Sequence, residues 1–120
     1  MSGPAKIGAL IYGKNIEGLS TFYIELLGMI KLRETNEFIS LDANGLNIII
    51  HEFPADVPTN FDRQNTVKLF FSVNSLENSH AKVKELGGLV HKGVWKSPIF
   101  SVCNVSDPEG NIFQLREFSL

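Results

Sequence analysis

Asp107-Pro-Glu-Gly-Asn-Ile-Phe-Gln-Leu-Arg-Glu-Phe118 lies near the end of a 120-residue sequence and carries the strongest local signals in it. Pro at the second and Gly at the fourth position of Asp107-Pro-Glu-Gly110 suit a type I turn, and Asn111–Phe118 alternates as a half-buried strand does. About half a chain length upstream, Gly45-Leu-Asn-Ile-Ile-Ile-His-Glu-Phe53 aligns with Gly110-Asn-Ile-Phe-Gln-Leu-Arg-Glu-Phe118 without a gap. Gly, the apolar alternation, Glu and Phe coincide. A repeated half implies two similar modules with a site between them.

Working outward, both halves show the same order of elements. In the first, Lys6–Tyr12 reads as a buried strand. Asn15 can cap a helix on which Leu19, Phe22, Tyr23, Leu26 and Leu27 recur at helical spacing, and Gly28 stands where a left-handed C-cap would end it. Strands follow at about Met29–Glu34, Glu37–Asp42 and Leu46–Phe53, with Thr35-Asn36 and Asn44-Gly45 as turns. In the second, Thr66–Val73 is a strand, Ser75 caps a helix carrying Leu76, Val83 and Leu86, and Gly87-Gly88 stops it. Leu89–Lys96, Phe100–Val105 and Asn111–Phe118 complete the set. The expectation is an α+β fold in one domain spanning residues 1–120. Module 1 covers about 5–53, a polar linker with two prolines 54–65, and module 2 about 66–118. Two tandem βαβββ modules would form a curved eight-stranded mixed sheet. Each helix covers only one face of its own sheet, so the uncovered faces would line a central trough suited to a small ligand.

Composition narrows the function classes. Apolar residues make up 43% and charged residues 20%, as in ordinary globular proteins. A net charge of −2 gives no basic field for nucleic acid. No run nears the roughly 18 apolar residues that span a bilayer. Met-Ser-Gly-Pro-Ala-Lys lacks an apolar signal region, so a cytoplasmic location is expected. Cys103 is the sole cysteine, which excludes an internal disulfide. With no basic neighbour in sequence it reads as a packing residue. His80 reads as solvated on its helix, and His91 has no neighbouring ligand type. No phosphate-cradling Gly loop and no Ser-His-Asp order can be argued.

The order and spacing of these motifs, above all Asp107-Pro-Glu-Gly-Asn-x-Phe-x-Leu-x-Glu117 with Ser20-Thr-Phe-Tyr23 and Leu27-Gly28, resemble the vicinal oxygen chelate superfamily, over about residues 5–118. That superfamily includes glyoxalase I, bleomycin resistance proteins and extradiol dioxygenases. The resemblance implies a divalent ion held in the trough, usually by a His from the first strand of each module and a Glu from the last. Carried over residue by residue, those slots fall on Gly8, Ile49, Lys68 and Gln114. Gly and Ile offer no side-chain donor, a protonated Lys repels a dication, and Gln is a weak neutral ligand. The resemblance therefore supports the fold and argues for a branch with no metal and no other cofactor.

Strand alternation places His51 and Arg116 on the trough side with Ile49 and Gln114, and turns Glu52 and Glu117 away. Arg116 can fork onto a carboxylate or phosphate. Lys68 shares its wall with Phe70 and Ser72 and can bind an anion or act as a base. Tyr12 and Asn104 align with wall positions, and Tyr12 can donate a hydrogen bond. Trp95, the only Trp, lies in the extended hairpin before the last two strands, where related proteins stack aromatic residues on planar ligands. The expected ligand-binding set is Tyr12, His51, Lys68, Phe70, Trp95, Asn104, Gln114 and Arg116, with Lys68 and Tyr12 as candidate catalytic groups. The leading expectation is a metal-free small-molecule-binding protein sequestering a planar or anionic toxic compound. It would have no nucleic-acid or membrane partner and would work as a homodimer. A metal-independent lyase or isomerase using Lys68 or Tyr12 is the alternative, and a metal-dependent glyoxalase or dioxygenase ranks behind both. A purely structural role, with Phe38, Phe70 and Phe100 filling the trough, also stays open.

Overall fold

A computed structural model of the chain describes residues 6–53 and 67–119. The linker at 54–65 and the first residue of the strand expected from Thr66 lie outside the described residues. Each module is a compact unit of its own.

Module 1 runs β1 (Gly8–Gly13), α1 (Ile16–Leu27), β2 (Ile30–Glu34), β3 (Phe38–Ala43) and β4 (Leu46–Glu52). Asn15 caps α1 by accepting from the Gly18 amide at 3.0 Å, and Gly28 ends it in the left-handed conformation, with φ 70°. The sheet order is β1-β4-β3-β2, with β1 parallel to β4 and the other pairs antiparallel. Helix α1 packs on one face only. Leu19, Phe22 and Tyr23 from the helix meet Ile39, Leu41, Ile48 and Ile50 from the sheet, all nearly inaccessible to solvent. Each such side chain contributes about 1.5–3 kcal/mol by leaving water, and their alternation fixes which residues of β1, β3 and β4 face the other way.

Module 2 runs β5 (Phe70–Ser72), α2 (Leu76–Glu85), β6 (Leu89–Val90), β7 (Trp95–Lys96), β8 (Phe100–Ser106) and β9 (Ile112–Phe118). Its order is β5-β9-β8-β6, with β7 also on β8. The fold class is the expected α+β pair of βαβββ modules, with the strands hydrogen-bonded as one sheet of four and one of five. The expected strand Leu89–Lys96 is two short pieces. β6 pairs with Val105 and Ser106, and β7 with Ser101 and Val102, so both lie along one edge of β8. Gly93 breaks it. Its φ of 102° is a backbone state other residues rarely adopt, and the Trp95 ring lies over it. Leu86 is the C-cap of α2 rather than a residue of its body.

The Asp107–Gly110 turn forms with its backbone bond, Gly110 amide to Asp107 carbonyl, at 3.0 Å. The Asp107 carboxylate is buried and accepts from the Glu109 and Asn111 amides at 2.9 and 3.1 Å and from Asn111 Nδ2 at 2.9 Å. Asp107→Ala should cost about 2 kcal/mol, since charge-assisted bonds are lost and amides are left unpaired. A urea-unfolding midpoint unchanged from wild type would contradict that.

Glu117 points to the helix side as alternation requires, and it has a task there. Its Oε1 accepts from the Leu76 amide at 2.7 Å, placing a carboxylate at the N-terminus of α2. The echo residue Glu52 is exposed.

His80 is not solvated as expected. It faces the sheet from α2, and its Nε2 lies 2.8 Å from the sulfur of fully buried Cys103. Burial, and secondarily the Lys84 ammonium, lower the His80 pKa from its ordinary 6.5. Burial pushes the Cys103 thiol up, so this basic neighbour does not activate the sulfur. Because the native ring resists protonation, the unfolded chain binds the proton more readily. Stability linked to His80 is complete above pH 6.5 and is lost as pH falls toward the lowered native value. Thermal melts from pH 7 to 5 should fall more steeply for the wild type than for His80→Leu.

Candidate ligand-binding face

The uncovered face of module 2 gathers six of the expected residues. Register puts Phe70, Gln114 and Asn104 side by side in one row across β5, β9 and β8. The next row is Ser72, Arg116, Val102 and Trp95. Residues opposite one another on adjacent strands point to the same side of a sheet, so these seven share one wall. Lys68 reaches into it, donating to Asn104 Oδ1 at 3.3 Å. Phe70 and Trp95 are about half exposed, at 52% and 54%.

Arg116 is the centre of this wall. Its guanidinium carbon lies 3.7 Å from the centroid of Phe70 and 4.8 Å from that of Phe100. One terminal nitrogen donates to Gln114 Oε1 at 3.3 Å. Nε is buried with no hydrogen-bond partner. Each cation–π contact is worth about 0.5–2 kcal/mol, yet neither ring supplies a lone pair to an N–H. Among the described residues Arg116 and Lys68 have no carboxylate partner, and alternation puts none on this face, because Glu117 points to the helix. Two cations, two amides and several rings without a counter-charge form a surface complementary to an anion with a flat apolar body.

The other two expected ligand-binding residues, Tyr12 and His51, lie on the uncovered face of module 1. They are opposite one another in β1 and β4, with Phe38 opposite His51 in β3. A cavity of about 440 Å³ in module 1, lined by Ile16, Glu17, Glu34, Thr35 and Asn36, brings together none of the expected residues.

Three contacts lie outside the expected ligand-binding set, although the sequence already places Phe38 and Phe100 in the trough. Phe100 is the second plate beside Arg116, and the hairpin register that pairs it with Phe118 was the available signal. His91, read as having no neighbouring ligand type, sits 2.6 Å from Ser106 Oγ, with its amide bonded to the Asn104 carbonyl. Phe38 stacks on His51, with centroids 6.1 Å apart.

A family model described as the Glyoxalase/Bleomycin resistance protein/Dioxygenase superfamily matches residues 7–115. The chain belongs to this superfamily. None of the curated proteins is similar enough to count as a relative. Solved structures are similar across nearly the whole chain. A glyoxalase/bleomycin resistance protein/dioxygenase family enzyme from Burkholderia phytofirmans is 18% identical, with TM-score 0.74 over 94% of this chain and 98% of its own. The fosfomycin resistance protein FosX from Listeria monocytogenes is 14% identical, with TM-score 0.74 over 100% of this chain and 94% of its own. A glyoxalase-related enzyme from Fulvimarina pelagi is 18% identical, with TM-score 0.70 over 93% and 87%. At these identities the likeness concerns fold.

The residues in the superfamily's metal slots do not fit a divalent ion. Ile49 and Gln114 stand in the expected rows of β4 and β9, but only Gln114 carries a donor. Lys68 brings a positive charge. The Gly8 slot is closed to any side chain, since a Cβ there would lie 2.4 Å from the Asn47 carbonyl oxygen. Among the described residues no group of three or more His, Cys, Asp or Glu could hold a metal ion.

Proposed function

We propose that this superfamily member is a metal-independent binding protein for a small organic anion, a carboxylate or phosphonate on a flat apolar skeleton, held on the uncovered face of module 2. The observation that carries the reading is Arg116, clamped between Phe70 and Phe100 with a buried, unpartnered Nε and, among the described residues, no carboxylate on its face. Arg116 and Lys68 receive the anionic group, Gln114 and Asn104 orient it, and Phe70 and the exposed Trp95 cover the skeleton. Sequestration of a toxic compound is the purpose this arrangement serves best, because it supplies recognition without a positioned acid–base pair.

The sole tryptophan sits in the wall and reports occupancy. Titration with 2-naphthoate should change Trp95 fluorescence, and 2-naphthamide, of the same shape but neutral, should bind at least tenfold more weakly. Equal responses to acid and amide, or none to either, would remove the anion reading. The lyase or isomerase reading rests on Lys68, whose ammonium is held by an amide rather than a carboxylate. It requires turnover that survives chelation and vanishes in Lys68→Met.

A further inference from the structure

The uncovered face of module 1 carries an aromatic row that the anion site does not use. Tyr12, His51 and Phe38 stand opposite one another across β1, β4 and β3. Phe53 stacks on Tyr12 at 5.7 Å between centroids, Tyr12 meets His51 edge-on at 6.1 Å, and His51 is nearly parallel to Phe38 at 6.1 Å and 17°. Arg33 ends the row, its guanidinium carbon 5.6 Å from the centroid of Phe38.

Within this row one imidazole has a fixed tautomer. His51 Nδ1 lies 2.8 Å from the Glu52 carbonyl oxygen. A carbonyl only accepts, so Nδ1 carries the hydrogen and donates it. In the neutral ring Nε2 is then left with its lone pair. Nε2 is the ring atom remote from the backbone, so the acceptor is set among the rings and away from the strand.

We propose that this row is a second ligand surface, one that takes a flat phenolic or enolic compound whose O–H donates to His51 Nε2. The ring of the ligand lies against Tyr12 and Phe38, and the Arg33 cation at the end of the row favours an electron-rich ring. A neutral, non-donating aromatic gains the stacking but not the bond, which sets the selectivity. The inference uses only residues of module 1, whereas the anion reading uses only residues of module 2.

The test compares 4-methylphenol with 4-methylanisole, an electron-rich pair in which a methyl group replaces the donor hydrogen. The sequence contains three histidines, so long-range 15N NMR can follow the His51 Nε2 resonance, assigned by its loss in His51→Phe. The phenol should move that resonance and bind about fivefold more tightly than the anisole, the worth of one net hydrogen bond. His51→Phe, which keeps a ring in the row, should abolish the preference. Tyr12→Leu should weaken both probes. Equal affinity for phenol and anisole in the wild type, or phenol binding that leaves His51 Nε2 unmoved, overturns the proposal. So does a preference that persists in His51→Phe.

Discussion

Arg116→Met should weaken binding of an aromatic carboxylate about a hundredfold, roughly 2.7 kcal/mol, and leave the protein as stable as before or more so. The two halves of that expectation come from the same geometry. Removing one partner of a desolvated charge pair costs 2–5 kcal/mol of binding or more, and Arg116 is the more enclosed of the two cations on the wall. In the free protein its Nε is already desolvated without a bond in return, a debit of about 1–3 kcal/mol. The rings of Phe70 and Phe100, at 3.7 and 4.8 Å, return about as much. Met has a similar reach, no polar atom to satisfy, and its own favourable sulfur–ring contacts. Calorimetric titration and a thermal melt on the same preparation decide the matter. A variant that melts well below wild type yet binds the carboxylate normally would make Arg116 a structural plug and the anion site a misreading.

That such a residue could be picked from sequence, while its setting could not, follows from what strand alternation encodes. Period two along β9 places Gln114 and Arg116 on one side and Leu115 and Glu117 on the other, and the structure agrees residue by residue. The Asp-Pro-Glu-Gly turn, the Asn15 cap and the Gly28 stop are equally local, so they were legible. The clamp around Arg116 needs the register of β8 and β5 against β9 and the side-chain directions of two phenylalanines far apart in sequence. Alternation does not carry those. His80 is a different case, because the signal was present. Leu76, His80 and Val83 fall at i, i+4 and i+7 on α2, one continuous stripe, and both apolar members are buried. A polar residue inside an apolar stripe is held by a partner, here Cys103, and its reading as solvated gave polarity priority over position. The break between β6 and β7 was hidden for the opposite reason. Leu89–Lys96 has strand-like composition apart from Gly93, and an isolated glycine does not by itself reveal the positive φ it adopts here.

Gly8→Ala should destabilise the protein by about 3 kcal/mol, the upper end for forcing extra atoms into a packed site, and Gly8→His should cost no less. A Cβ at this position meets the Asn47 carbonyl oxygen at 2.4 Å and the Asn47 Cβ at 3.2 Å. Neither is the free end of a side chain. Gly8 and Asn47 are partners in the parallel β1–β4 ladder, and β4 is held on its other edge by β3. Relief therefore requires β1 to leave the ladder, with loss of sheet hydrogen bonds and exposure of the apolar residues β1 packs under α1. Lys68→His and Gln114→Glu make the contrast, because both positions lie on the uncovered face of module 2, where side chains can be exchanged without displacing backbone. That pair should unfold at the wild-type urea midpoint and bind zinc no more tightly than two donors allow. Adding Gly8→His should lower the midpoint without raising zinc affinity. Backbone packing, as well as side-chain identity, then keeps a metal ligand out of the Gly8 slot. A Gly8→Ala variant with an unchanged midpoint would show instead that β1 yields, and that only side-chain chemistry keeps a metal ligand from this position.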